Sequence, residues 1–164
     1  MKQEQKELLL KDLCGRLPYG VKIALKNNGS YHHDNVAKKG DITIDKLKGF
    51  TGSYFNIYHS NLLDWDWYDD DIDIEDIKPY LFPLLSMTEE QYKEMQEIIG
   101  NPNEACISVN TSGLELWLNS IDTDPTIWLD TIFEVQDWLN RNHFDYRGLI
   151  KKGLAIDATN LNIY

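Results

Sequence analysis

The hydrophobic positions along this chain change period several times, and each change marks an element. Leu9, Leu10, Leu13, Cys14 and Leu17 recur at helical spacing, which predicts a first helix over residues 3–14 with Gly15 placed to stop it. In "VKIALK", Val21, Ile23 and Leu25 alternate with Lys22, Ala24 and Lys26, the period of a half-buried strand. Asn28-Gly29 follows, a dipeptide suited to the positive φ angles of a tight hairpin. A two-residue turn there places Lys26 opposite Tyr31 and Leu25 opposite His32. "DITID" and "GSYFNIYHS" predict two further short strands, the second with Phe55 and Ile57 on one face and Tyr54, Asn56 and Tyr58 on the other. "DIDIEDI" alternates as well, predicting a strand with Ile72 and Ile74 on one side and Asp71, Asp73 and Glu75 on the other.

Pro79 and Pro83 hold "KPYLFPLLS" extended. The next signal is a helix, "SMTEEQYKEMQEIIGNP". Ser86 with Glu89, and Thr88 with Gln91, both have capping-box spacing, Tyr92, Met95 and Ile99 form its stripe, and Gly100-Asn101-Pro102 ends it. "ACISVNTSGLELWL" predicts paired strands around Thr111-Ser112-Gly113. Asp124 as N-cap and Pro125 at the first helical position then open the longest helix, which runs to about Asn142, a residue that tolerates a left-handed helix end. Trp128, Ile132, Val135 and Leu139, with Leu129 and Phe133 alongside, predict that it packs hard along its length. Asp145 is placed to cap a short helix, "YRGLIKKG", stopping at Gly153, with Lys151 and Lys152 at its negative end. The order of elements predicts a single α+β domain over 1–164, a mainly antiparallel sheet with about three helices packed on one face.

Composition sets the class. Among 164 residues, 42% are apolar, with five Trp, nine Tyr and five Phe, enough for a core and far from a disordered tail. No apolar run approaches the ~20 residues of a membrane span, and "MKQEQKELLLKD" is not a signal peptide. Cys14 and Cys106 lie far apart without metal-ligand spacing, so they read as buried thiols in a reducing, cytoplasmic compartment.

The net charge of −11 is unevenly spread. Residues 1–50 hold ten Lys and Arg against six acids, a balance of +4, while residues 51–164 hold six against twenty-one, a balance of −15. Eight acids and no base lie between Asp64 and Asp76. Such a surface repels nucleic acid. It suits a basic protein partner instead, with Asp64, Trp65, Asp66, Trp67, Asp69, Asp70, Asp71 and Asp73 as the contact residues, the aromatic rings adding faces for cations.

Other constellations carry less. Asp64, Asp66 and Glu75 stand at positions 1, 3 and 12 of a calcium loop, but Asp69 occupies the place where that loop needs glycine. His32 and His33, if on a strand, point to opposite faces and cannot share an ion. No phosphate-binding glycine loop, zinc-protease motif or nucleophile elbow occurs, and neither a catalytic residue, a metal site nor a cofactor is expected. The stretch "WLNRNHFDYRGLIKKGLAI" gathers His143, Asp145, Tyr146, Arg147, Lys151 and Lys152 between apolar anchors. Helix-end chemistry explains most of these, and no Ser, Cys or Glu nearby completes a nucleophile pair.

Three blocks, "LKDLCGRLPYGVK" (10–22), "IKPYLFPLLSMTEEQ" (77–91) and "WLNRNHFDYRGLIKKGLAIDA" (138–158), resemble a family of small proteins encoded by gut Bacteroides-type bacteria, their phages and their mobile elements. That family has no assigned activity, so the resemblance implies a genomic setting and no functional residues. The leading expectation is a non-catalytic accessory protein that binds a macromolecule through an acidic aromatic surface, for instance an inhibitor of a host protein with a basic site. The alternative is a small-ligand binder or minor enzyme with an anion site around His143, Tyr146 and Arg147, joined by Lys152.

Overall fold

The computed structural model describes residues 1–26, 42–51, 54–58, 73–100, 105–110, 113–118 and 125–164. The fold is α+β: among the described residues, three α-helices and a mixed, mostly antiparallel sheet. Helix α1 spans Gln3–Arg16, α2 Glu89–Ile99 and α3 Pro125–Arg141. Strands β1 (Lys22–Lys26), β2 (Ile42–Thr51), β3 (Tyr54–Tyr58), β4 (Ile77–Pro83), β7 (Phe144–Asp145) and β8 (Ile156–Asp157) form one sheet. Strands β5 (Ala105–Asn110) and β6 (Gly113–Leu118) pair separately as an antiparallel hairpin.

The main sheet runs β3-β2-β1-β4-β7, with β8 also on β4. Its first four strands are antiparallel, while the C-terminal segment lies parallel along β4, with Tyr80 beside Ile156 and Phe82 beside Phe144. One face of the sheet carries the main core: Ile23, Leu25, Leu47, Ile77 and Leu81 meet Leu9 and Leu13 of α1 and Leu149 and Leu154 of the C-terminal segment. Full burial of each such side chain contributes about 1.5–3 kcal/mol. Ala24, Tyr80 and Ala158 cluster separately, with Ile156 and Ile163 packed on them, so the strand β1 is covered on both sides. A second large cluster joins α2, α3 and the β5–β6 hairpin around Met95, Val135, Trp138, Leu139 and Phe144. Trp138 stacks on Phe144 at 5.7 Å between ring centroids, which couples α3 to the sheet edge.

Local signals placed most of these elements. Thr88 caps α2, accepting from the Gln91 backbone N–H at 3.2 Å while Gln91 accepts from the Thr88 N–H at 2.9 Å, and Gly100 ends the helix. Pro125 is the first residue of α3; Asp124 lies outside the described residues.

Several expectations need correction. Lys26 pairs with Ile42, and Leu25 with Thr43 and Ile77; the expected hairpin partners Tyr31 and His32, Asn28-Gly29 and the His32-His33-Asp34 run lie outside the described residues. Residues 74–76 form a 3-10 turn, not a strand, because the Asp73 carboxylate accepts from the Glu75 N–H and closes the backbone on itself. Gly15 does not end α1, which runs on into a 3-10 turn at Leu17–Tyr19. Its absent side chain lets α1 pass α3, since a Cβ there would sit 3.3 Å from the Asn140 side chain. Cys14 is exposed rather than buried, because α1 turns Leu9, Asp12, Leu13 and Arg16 inward. Among the described side chains of α3, Val135 and Leu139 are buried, whereas Leu129, Ile132 and Phe133 are 53%, 40% and 63% exposed; the Trp128 side chain lies outside those described.

Candidate functional site

The polar residues near the C-terminus meet a pair of charges that the apolar pattern concealed. Asp12 and Arg16 lie on the same face of α1 as Leu9 and Leu13, and both are fully buried. The Arg16 guanidinium grips Asp12 with Nε donating at 2.7 Å and Nη2 at 3.1 Å, and Nη2 also donates to the Phe144 carbonyl at 2.7 Å. Arg147 brings a second guanidinium to the same carboxylate, its Nε 3.3 Å from Asp12 Oδ1. The Tyr146 ring sits against both cations, 5.5 Å from Arg16 Cζ and 4.8 Å from Arg147 Cζ. Its hydroxyl accepts from Arg147 Nη2 at 3.0 Å and donates to Asn140 Oδ1 at 3.1 Å. Thus α1, α3 and the C-terminal segment share one buried network with two cations and one anion. The i, i+4 spacing of an Asp and an Arg among inward leucines was the signal in the sequence.

Asp145 works as a cap, as expected. Its two carboxylate oxygens accept from the Leu149 and Ile150 backbone N–H groups, each at 2.8 Å. What it caps is a single turn and not a helix. Gly153 N–H donates to Ile150 O at 3.0 Å and Leu154 N–H to Leu149 O at 2.9 Å, the double closure that ends helices, here after one turn. Gly153 has φ +70°, the conformation this closure needs. The turn's carbonyls are thereby used up, and Lys152 bonds instead with the Arg147 and Gly148 carbonyls at its start, at 2.8 and 3.3 Å.

His143 stands apart from Tyr146 and Arg147. It, not Asn142, takes the left-handed conformation after α3, with φ +58°. It is buried and stacks on Tyr164 at 4.1 Å between ring centroids. Burial, then the Arg16 and Lys22 charges, pull its pKa down to about 4, so the imidazole is neutral at physiological pH. The Tyr164 hydroxyl fits a backbone notch, donating to the Tyr80 carbonyl at 2.9 Å and accepting from the Lys22 N–H at 3.0 Å; burial pushes it up to about 12.

Of the four residues expected to hold an anion, only Tyr146 and Arg147 come together. His143 faces Tyr164, and the Lys152 amine is spent on backbone carbonyls. Of the residues expected to meet a partner, Asp73 is exposed and caps its 3-10 turn, while Asp64, Trp65, Asp66, Trp67, Asp69, Asp70 and Asp71 lie outside the described residues. Among the described residues no three His, Cys, Asp or Glu side chains gather to hold a metal, and no helix is long and apolar enough to cross a membrane.

A different surface stands open. Between α2 and α3 lies an open groove of about 530 Å³ lined by Ile98, Phe133, Glu134, Asp137, Trp138 and Arg141. Leu129 and Ile132 of α3 are exposed as well, with Asp130 and Glu134 near them in the helix. Sequence periodicity assigned those apolar residues to the core, so the groove was missed. No protein-family model matches the chain, and no curated protein or solved structure matches it either.

Proposed function

We propose that this chain is a non-catalytic accessory protein that binds another macromolecule, a protein with a basic site, through an acidic surface bearing apolar and aromatic groups. The observation that carries this reading is the outer face of α3, where Leu129, Ile132 and Phe133 are exposed among Asp130, Glu134 and Asp137. Exposed apolar residues rimmed by charge mark interaction surfaces. The excess of acids after residue 50 supports a cationic partner and speaks against nucleic acid. The three blocks that resemble proteins of Bacteroides-type bacteria, phages and mobile elements support a host protein as that partner and a cytoplasmic setting. Inhibition by occupying a basic groove is the activity such a protein would have.

The test is capture of host proteins on the immobilised chain at low and moderate salt. A complex with a basic protein, weakened by changing Asp69, Asp70, Asp71 and Asp73 to Asn or by neutralising Asp130 and Glu134, supports the reading. A complex indifferent to both sets of changes sinks it.

One observation favours a second reading, the anion site. Arg16 Nη1 is enclosed without a hydrogen-bond partner, and the network around Asp12 carries two guanidinium groups against one carboxylate. An oxyanion binding there raises the melting temperature, since a ligand at a hundred times its dissociation constant adds about 2.7 kcal/mol. Unchanged melting with phosphate, sulfate and nucleotides rejects it.

A further inference from the structure

We infer that the α2–α3 groove is a docking site for an amphipathic helix of a partner protein, one whose apolar ridge is flanked by lysines or arginines. This rests on the binding function proposed above and names its surface and its occupant. Four features define the occupant. The floor and one wall are apolar, from Ile98, Trp138 and Phe133, and Phe133 is 63% exposed, so a large apolar side chain can enter beside it. Leu129 and Ile132, exposed outside the groove, stand with the groove's Phe133 at the i, i+3, i+4 spacing of a ridge that a third helix can pack against. Both walls are helices whose backbone groups are already bonded within them, so no strand edge is offered to an extended peptide, and the helix-in-groove mode remains.

Charge supplies the fourth. The two helices together carry seven acids, Glu89, Glu90, Glu94, Glu97, Asp130, Glu134 and Asp137, against Lys93 and Arg141 alone. Arg141 is paired with Asp137 at 2.9 Å, which leaves Glu134 as the unbalanced charge in the groove lining and the two helices together net negative. An acidic or neutral helix gains nothing from that charge, and a cationic one is drawn to it.

The probe is a synthetic helical peptide of leucines and lysines with the leucines along one face, its binding to the whole chain followed by fluorescence anisotropy. Two controls accompany it: the same residues shuffled so that the leucines no longer share a face, and a leucine–glutamate version. The facially ordered cationic peptide binds, and both controls bind at least about tenfold more weakly. Phe133→Ser weakens it by about tenfold. Because Phe133 is exposed, that variant keeps its fold, which circular dichroism checks. Changing Asp130 to Asn and Glu134 to Gln flattens the salt dependence. Equal binding of the shuffled peptide, or wild-type affinity in Phe133→Ser, overturns the groove. So does a wild-type dimer that Phe133→Ser converts to monomer, because the occupant is then a second copy of this chain. A host partner retained by Phe133→Ser but lost by the 69–73 variant sinks the groove and leaves the binding function standing. Absence of any basic partner sinks both.

Discussion

Two Asp–Arg pairs in this protein have the same spacing and nearly the same length, and opposite surroundings. Asp12 and Arg16 of α1 meet at 2.7 Å with both side chains sealed from solvent. Asp137 and Arg141 of α3 meet at 2.9 Å with side chains 45% and 60% exposed. In water the attraction is screened and offset by the entropy of holding two long side chains, so the α3 pair contributes little. Inside, each charge has lost its hydration and depends on its partner, so the α1 pair is costly to assemble and far costlier to break. The comparison teaches that an ion pair's worth lies in what surrounds it, and that the inner pair serves to lock α1 onto the C-terminal segment through Phe144 and Arg147.

Breaking the inner pair has the largest expected effect. Asp12→Ala leaves Arg16 buried without its carboxylate and should cost about 3–5 kcal/mol, seen as a lower urea midpoint. Replacing both, Asp12→Leu with Arg16→Met, should recover most of that loss, because no buried charge is stranded; equal destabilisation by the single and double changes contradicts this account.

Acid sharpens the comparison next. His143 has its pKa lowered to about 4, against about 6.5 in the unfolded chain. The unfolded state therefore takes up the proton first as pH falls. Stability is complete above about pH 6.5 and declines down to about pH 4, by as much as about 3 kcal/mol. His143→Asn, a residue that accepts the left-handed backbone, should flatten the slope between pH 6.5 and 4.5 in urea titrations at several pH values. An unchanged slope means that the imidazole is not the group responsible.

Asp145→Ala strands two backbone N–H groups, one of them fully enclosed, and should cost about 2 kcal/mol, with faster amide exchange at Leu149 and Ile150. The smallest effect belongs to the outer pair. Arg141→Ala should move stability by less than about 0.5 kcal/mol, and a double-mutant cycle with Asp137 should give a coupling that fades with salt.

The candidate site was legible in part. Asp145 as a cap and Gly153 as a stop could be read from spacing alone, because caps act on backbone groups a few residues away. Helix α2 and the β5–β6 hairpin were legible for the same reason. The anion cluster was half right: Tyr146 and Arg147 do meet, but around Asp12, more than 130 positions earlier, which no local window contains. Leu129, Ile132 and Phe133 carried the pattern of a buried stripe and stand exposed, since periodicity says which residues share a face and not whether another element covers it.

What the amino-acid order settled by itself is the local part: the α+β class, the ends of α2, the start of α3, the strand β1, the capping role of Asp145. Only the tertiary structure decided that Lys26 faces Ile42, that α1 carries a sealed charge pair, that His143 rather than Asn142 takes the left-handed turn, and that Leu129, Ile132 and Phe133 of α3 lie open. The physical reason is range. Capping and periodicity are written within a few residues of backbone, whereas desolvation depends on which distant segment arrives to exclude the water.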